Sequence, residues 1–385
     1  MRYESARLAD FSYAEKKRGR RNCDTSFFVL VLLLLVMGLV MVLSSSYARA
    51  YYDPGNVTGG NALYYFVRQL LFAVLGVAAM LIASRVPMSV YRRFSMHFLV
   101  IVIIMLALVP FIGVKANGAR RWLGVGGLTV QPSELAKLGV ILSFSYLICK
   151  IRTGMKTVRY GIMPFAGILV LIVALLVLEP HFSASVIIVA IGGVMLFLGG
   201  VRLVWFVSAF GLAGGAIAVV LTFFPYASSR INTWRDPFSS PSDEGYQIVQ
   251  SLYSIGSGGL SGLGLGGSRQ KYLYLPEEHN DFIFSVVCEE MGFIGAALIL
   301  VLFSLLILRG YWIALHCKDR YSFLVCAGLI SLLAIQTFLN VAVVTNLIPC
   351  TGISLPFFSY GGTALLIELF EMGIILSASR ELTNH

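Results

Sequence analysis

The chain has 385 residues, of which 58% are hydrophobic and 12% are charged, and its formal net charge is +10. Soluble domains carry about twice that charged fraction, so one soluble core cannot accommodate this apolar excess. The apolar residues fall in runs close to the ~20 residues that cross a bilayer as a helix. The composition therefore excludes a soluble enzyme and predicts an all-α integral membrane protein.

The apolar runs predict about ten transmembrane helices behind a basic cytoplasmic leader, residues 1–25. In chain order the predicted spans are 26–46, 64–83, 96–113, 132–149, 161–178, 183–200, 203–224, 282–308, 323–346 and 356–379. They form one membrane domain, 26–379, followed by a short cytoplasmic tail, 380–385. The first apolar run is longer than the core of a signal peptide, so we interpret it as a retained span.

Lys and Arg residues orient the predicted spans. With the amino terminus in the cytoplasm, 19 of the 29 Lys and Arg residues lie in cytoplasmic segments, as the positive-inside rule requires. An even number of spans then places the carboxyl terminus in the cytoplasm as well. The long loop 225–281, between the seventh and eighth spans, becomes extracytoplasmic. Because the basic residues are spread over short loops beside spans, they indicate topology, and nucleic acid is not an expected partner.

Charged residues inside or at the edge of spans cost about 2.5–3.5 kcal/mol each on the more lenient insertion scale, so they indicate functional positions. They are Glu134, Lys137, Glu179, Glu289, Glu290, Glu368 and Glu371. Glu134 and Lys137 share one helical face, either as a self-neutralising pair or as the polar wall of an outward-facing cavity. Arg120, Arg121 and Trp122 precede them. With Lys137, the two arginines would form an anion-attracting mouth suited to a diphosphate.

The acidic end of the long loop is the second candidate site. The stretch Glu277-Glu278-His279-Asn280-Asp281 runs directly into the apolar Phe282-Ile283-Phe284. Asp281 is the last acid before the membrane, where partial desolvation raises the pKa of a carboxyl group and makes it a better base. The alternative role is a helix N-cap, for which Asp is a preferred residue. Both roles are open at this point.

Two further segments have irregular compositions. The stretch 255–267 contains seven glycines but no Gly-Lys-Ser/Thr element, which indicates a bendable loop over a lipid cavity rather than a nucleotide-binding loop. The stretch 352–362, with Pro356 and paired glycines, predicts an irregular entry to the last span. Such an entry is tolerated only where protein or a cavity covers it.

Several long segments resemble the SEDS family of membrane glycosyltransferases, over nearly the whole chain past the leader. They are GARRW at 118–122, QPSELAK at 131–137, GYQIVQSLYSIGSGGLSGLGLGGSRQKYLYLPEEHNDFIF at 245–284, EEMGFIG at 289–295 and GISLPFFSYGG at 352–362. The part GLGLGGSRQKYLYLPEEHNDFIF is closer to the division and sporulation branch (FtsW, SpoVE) than to the elongation branch (RodA).

One stretch departs from the family pattern. The family often has Pro-Asp-x-Gly-Thr after the fifth span, where this chain has Pro180-His181-Phe182-Ser183-Ala184. No site is therefore carried over to this stretch.

The resemblance implies a peptidoglycan glycosyltransferase with its active site on the outer face of the bacterial cytoplasmic membrane, active in division or sporulation septum synthesis. It would join lipid II disaccharide units by β-1,4 bonds and release undecaprenyl diphosphate. The family's essential aspartate matches Asp281, the expected catalytic residue. Its substrate-binding acid and lysine match Glu134 and Lys137. Arg121 and Trp122 match the preceding motif, and Arg120 lies beside them. Further candidates are Glu277, Glu278, His279, Gln270, Lys271 and Ser359.

The resemblance also implies partners. We expect crosslinking to come from a class B penicillin-binding protein, alongside other division proteins. No metal site is readable, and a divalent cation beside the diphosphate is left open. The alternative functions are a lipid II flippase and a non-catalytic scaffold for cell-wall enzymes. A flippase needs polar groups along a path through the bilayer, whereas the membrane charges cluster mostly toward the outer face.

We expect the loop 225–281 to be extracytoplasmic. Ser240→Cys, in a chain whose six native cysteines are replaced, should react with a membrane-impermeant maleimide in intact cells. Reaction only after the membrane is permeabilised would overturn the topology.

Overall fold

The computed structural model describes residues 23–52, 57–116, 119–125, 128–208, 232–241 and 245–382. Eight helices among these residues are long and apolar enough to cross a membrane, so the prediction of a multi-pass helical membrane protein is confirmed. Residues 1–22 of the leader and most of the predicted span 203–224 lie outside the described residues. The count of ten spans therefore stays a prediction.

The helices of the described part of the chain occur in the predicted order, several of them longer than predicted. They are α1 (Thr25–Tyr52), α2 (Tyr64–Ala83), α3 (Met88–Ile112), α4 (Pro132–Ile151), α5 (Val158–Gly161), α6 (Met163–Leu178), α7 (Phe182–Gly199), α8 (Tyr246–Gly258), α9 (Ile283–Leu315), α10 (Arg320–Val344) and α11 (Gly362–Ser379). Helix α2 packs against α11, α3 against α4, and α9 against α1 and α10. Most residues of α4, α10 and α11 are buried, so these three helices form the centre of the bundle.

The connection between α3 and α4 contains a small sheet that the all-helical prediction missed. Strands β1 (Val114–Ala116), β2 (Ala119–Val125) and β3 (Leu128–Val130) pair antiparallel in the order β1-β2-β3. Strands this short show too few alternations to be recognised in a sequence. Val114 pairs with Trp122 and Lys115 with Arg120, which leaves Arg121 as the extra residue of a β-bulge. Bulges re-aim side chains beside functional sites.

Helix α9 is broken at Gly292, whose φ of 66° and ψ of −171° are not helical. The break frees backbone groups that must be bonded again in an apolar environment. The glycine-rich loop after α8 supplies the partners. The N–H groups of Leu263, Gly264, Phe293 and Ile294 donate to the carbonyl oxygens of Glu289, Glu290, Gly259 and Leu260, respectively, at 2.9–3.1 Å. The loop predicted to be bendable is therefore pinned to α9 by its backbone.

Two buried carboxylates fix the same loop through their side chains. Glu289 accepts hydrogen bonds from the hydroxyls of Ser254 and Ser268 and from the backbone N–H of Arg269. Glu290 pairs with Lys271, whose Nζ lies 2.9 Å from Oε1. Glu289 is thus stabilised by hydrogen bonds and Glu290 by an ion pair, so these two of the costly membrane charges have a structural role.

We expect Gly292→Ala to destabilise the protein strongly. A β-carbon at Gly292 would collide with the backbone of Leu260 and Gly262, and the positive φ disfavours any L-residue. Backbone strain of this kind costs about 1–3 kcal/mol before the collision is counted. The thermal midpoint of the detergent-solubilised protein should fall by several degrees.

Gly193→Ala is the matched control, because Gly193 lies inside α7 with open space beside it. Alanine is favoured over glycine in a helix interior by about 0.5–1 kcal/mol, so this variant should melt at or above the wild-type temperature. Equal melting of the two variants would contradict the described kink.

Candidate active site

A cavity of about 710 Å³ opens at one end of the helix bundle, within the size range of small-molecule sites. Helices α4, α7, α9 and α11 begin there. Residues of their first turns or N-caps line the cavity, namely Glu134, Ser183, Phe282 and Gly362. Each helix amino terminus carries a partial positive charge of about half a unit, so four convergent termini favour an anionic ligand.

Most of the residues proposed from the sequence come together in this cavity. Asp281, Glu134, Lys137, Arg121 and Trp122 line it, as do two of the further candidates, Glu277 and Ser359. These residues come from β2, α4 and two separate loops, which are far apart in the chain. Among these residues the structure thus brings together three carboxylates and two cations at the end where the four helices begin.

Asp281 is held by its backbone and presents its side chain to the cavity. The Asn340 side-chain amide donates to the carbonyl oxygens of Asp281 at 2.8 Å and of Ile353 at 2.7 Å. The residue that precedes α9 is Phe282, and no side chain caps this helix, so the alternative N-cap role of Asp281 is not observed. Within the described residues its carboxylate has no hydrogen-bond donor and no ion-pair partner.

The surroundings of Asp281 suit a base. Burial raises the pKa of Asp281 to about 6, and the neighbouring Glu277 carboxylate adds to the rise, whereas His279 and Arg121 oppose it. A carboxylate with this pKa is still ionised at neutral pH and is more basic than an exposed one. Oδ2 points toward Gly352, where a β-carbon would lie only 3.1 Å away.

Glu134 and Lys137 satisfy both interpretations offered by the sequence. Lys137 Nζ lies 2.5 Å from Glu134 Oε2, so the two form an ion pair. Both also line the cavity. Lys137 is 2% exposed, which means that its charge is available to a ligand only from inside the cavity.

Arg120 and Arg121 separate, and the prediction that both arginines form the cationic mouth is corrected. Arg121 lines the cavity, and its Nη2 donates to Pro180 O at 2.6 Å. Arg120 turns to the end of α3, where its Nη1 donates to the carbonyl oxygens of Pro110 and Phe111. The physical cause is the β-bulge, which gives the two consecutive residues different environments.

Four of the further candidates lie behind the cavity wall. Glu278 is fully buried and accepts a hydrogen bond from Arg49 Nε at 2.9 Å. The ring of His279 contacts Tyr65 and Tyr360, with centroids 4.7 and 5.8 Å away. Lys271 pairs with Glu290, as described above, and Gln270 precedes it outside the cavity lining. These residues hold the loop that carries Asp281.

Sequence reasoning missed two basic residues that line the cavity. Arg68 lies one turn into α2, with its guanidinium 4.7 Å from the centre of the Tyr64 ring. A single cation near the start of an apolar run was the available signal. His181, at the start of α7, lines the cavity although its stretch was set aside.

Among the described residues, no group of three or more His, Cys, Asp or Glu side chains is positioned to hold a metal ion. The divalent cation considered from the sequence therefore remains an expectation.

The fold and the site define a polytopic helical membrane protein with a polar, cation-lined cavity at one end of its bundle. The profile of the FtsW/RodA/SpoVE family, described as "Cell cycle protein", matches residues 24–384. The chain belongs to this family, as its resemblance to SEDS proteins predicted.

Relatives and solved structures agree with this assignment. Stage V sporulation protein E of Bacillus subtilis (strain 168) is 41% identical, over 93% of this chain and 97% of that protein. A probable peptidoglycan glycosyltransferase FtsW of Trichlorobacter lovleyi is 37% identical, over 92% and 93%. A chain of a solved peptidoglycan synthase complex, described as coordinating polymerization and crosslinking, matches with a TM-score of 0.78 at 27% identity, over 93% and 98%. RodA of Thermus thermophilus matches with a TM-score of 0.68 at 26% identity, over 94% and 98%.

We expect Lys137→Met to lower stability, because it leaves the Glu134 carboxylate without its partner. Breaking a buried ion pair costs about 3–5 kcal/mol, which denaturant titration in detergent would measure as a lower free energy of unfolding. The double variant Lys137→Met/Glu134→Gln removes the stranded charge and should recover much of the loss. A double variant as unstable as the single one would show that the pair is not what holds these side chains.

Proposed function

We propose that this chain is a peptidoglycan glycosyltransferase that polymerises lipid II on the outer face of the bacterial cytoplasmic membrane, in division or sporulation septum synthesis. The observation that carries the proposal is the cavity itself. The Asp281 carboxylate, which has no ion-pair partner among the described residues, lies in the same cavity as Lys137 and Arg121, where helices α4, α7, α9 and α11 begin. The relatives named peptidoglycan glycosyltransferase support the reaction class.

The cationic part of the cavity holds the diphosphate of the donor lipid. Lys137, Arg121 and the amino termini of the helices stabilise the negative charge that grows on the diphosphate as it leaves. A diphosphate is already a good leaving group, so no protein acid needs to protonate it. The reaction thus requires one base and a cationic clamp, not the carboxylate pair of a glycosidase.

Asp281 is the general base. The acceptor sugar hydroxyl attacks the anomeric carbon, the bond from that carbon to the diphosphate breaks, and the hydroxyl proton passes to the Asp281 carboxylate. Inversion at the anomeric carbon gives the β-1,4 bond and releases undecaprenyl diphosphate. The hydrogen bond from the Asn340 side-chain amide to the Asp281 carbonyl oxygen keeps the carboxylate at the cavity wall. Such positioning matters because general-base catalysis depends on geometry first.

The alternative functions receive less support. The residues that line the cavity from helices α4, α7, α9 and α11 all lie within about two turns of the helix starts. Such a cavity favours chemistry at one membrane face over passage through the bilayer. A scaffold would need no buried carboxylate in the same cavity as a cationic clamp. Crosslinking is then the task of a partner, for which we propose a class B penicillin-binding protein beside other division proteins.

We expect Asp281→Asn to fold and insert normally yet to lose polymerisation of labelled lipid II by at least the ~100-fold typical of a general base. The change keeps the size of the side chain and the backbone bond to Asn340 but removes the basic lone pair. Glu277→Gln, which neutralises a neighbouring acid of the same cavity, is the matched control and should keep most of the activity. Near wild-type polymerisation by Asp281→Asn would remove Asp281 as the base.

We also expect a pH-dependent rate. The base acts only when ionised, so the polymerisation rate should rise with pH through about 6 and level off above it. Glu277→Gln removes a negative neighbour that raises the pKa of Asp281, so its rising limb should move to lower pH. Initial rates across this range measure both effects. A rate that does not change with pH across it would contradict the assignment.

A further inference from the structure

His181 is a buried cavity residue to which neither the resemblance nor the reaction above gives a role. It is 8% exposed, it lines the cavity, and its Nδ1 has no hydrogen-bond partner in the described part of the protein. A buried polar atom without a partner carries an unrecovered desolvation cost. In a cavity, a ligand that supplies the missing hydrogen bond removes that cost.

The charges around His181 favour an anionic ligand. Burial lowers the pKa of His181 to about 3, and the positive charges of Arg121 and Lys137 lower it further. The imidazole is therefore neutral at neutral pH and can still donate one N–H. Burial also raises the pKa of Glu179 to about 8, against the opposing effect of Arg121. Glu179 is then largely protonated and does not cancel the charge of Arg121.

The start of α7 adds further donors at the same place. His181 immediately precedes this helix, and Ser183 and Ala184 of its first turn line the cavity with it. The first N–H groups of a helix have no partner within the helix and carry its positive end. Arg121 is tied to the same turn by its bond to Pro180 O. The free N–H groups of α7, the positive end of its dipole and the Arg121 guanidinium therefore lie at the same part of the cavity.

We infer that His181 and the first turn of α7 form a binding subsite for one phosphate of a lipid-linked diphosphate, with Arg121 as its counter-charge. This subsite deepens the proposed function and rests on it. Lys137, on the neighbouring α4, holds the other phosphate. On this inference His181 distinguishes a diphosphate from a monophosphate, because the two phosphates of a diphosphate occupy both positions, whereas a single phosphate bound at Lys137 leaves the α7 subsite empty.

The neutral imidazole of His181 leaves the positive charge of Arg121 available to a ligand and adds a hydrogen-bond donor beside it.

The test compares two probes in lipid nanodiscs, undecaprenyl diphosphate and undecaprenyl monophosphate. His181→Leu should weaken binding of the diphosphate by about 10-fold or more, the loss expected for a hydrogen bond to a charged group. Binding of the monophosphate should change much less. His181→Gln keeps a donor and should lie between wild type and His181→Leu. His97→Leu, which removes a histidine on α3 outside the cavity lining, should bind both probes as wild type does.

A second measurement uses the wild-type protein and so does not depend on how the variants fold. Carbethoxylation of His181 by diethylpyrocarbonate, read by peptide mass spectrometry, should be slowed by undecaprenyl diphosphate and not by the monophosphate. Equal diphosphate affinity in His181→Leu and wild type, equal weakening of both probes, or unchanged modification of His181 in the presence of the diphosphate would each overturn the subsite.

These outcomes are separate from the fate of the proposed function. Binding of the two probes is measured without turnover. Wild-type protein that polymerises lipid II while His181→Leu binds the diphosphate normally would remove the subsite and leave the function. Wild-type protein that fails to polymerise lipid II would remove the function, whatever the probes show.

Discussion

The backbone pairing between the glycine-rich loop and the broken helix α9 holds the site together. A break at Gly292 would leave carbonyl and N–H groups unbonded in an apolar environment, at a cost of several kcal/mol each. The loop after α8 supplies the missing partners. The ion pair of Glu290 with Lys271 adds a side-chain contact between α9 and the segment that follows the loop. The chain between this loop and α9 is thereby short and anchored at both ends. Asp281 lies at the end of that chain, so its position is a consequence of how the break in α9 is satisfied.

The cavity separates the roles of its acids by their surroundings. Glu134 is compensated by Lys137, Glu277 accepts a hydrogen bond from the Asn280 side-chain amide, and Asp281 has neither kind of partner in the described structure. Groups of one chemical type thus acquire different roles in a single site. The cations of the cavity differ in where they lie. Lys137 and Arg121 stand on the side of α4 and α7, whereas Arg68 stands on α2.

Much of this arrangement can be predicted from the sequence. Apolar length predicts the spans, and Pro132 marks the start of α4, because proline is harmless in a first helical turn. Asp281 is recognisable as the last acid before an apolar run. The long-range contacts could not be predicted. Nothing local indicates that Lys271 pairs with Glu290, or that a β-bulge sends Arg121 and Arg120 to different places, since both depend on segments distant in the chain. His181 was set aside because its stretch departs from a familiar pattern, although a buried imidazole beside two cations is informative in itself.

The length of α9 has a consequence for the membrane. Its 33 residues add up to about 50 Å of helix at 1.5 Å per residue, counted along both sides of the break. This is well beyond a hydrocarbon core of about 30 Å. The part after Gly292 is by itself long enough to cross that core. The part before Gly292 carries Glu289 and Glu290 and belongs to the site, and the break lets it take a direction of its own. The loop bonds to residues on both sides of Gly292. A tilt of the crossing part of α9 in a bilayer of different thickness would therefore act on the loop, and through it on the part next to Asp281.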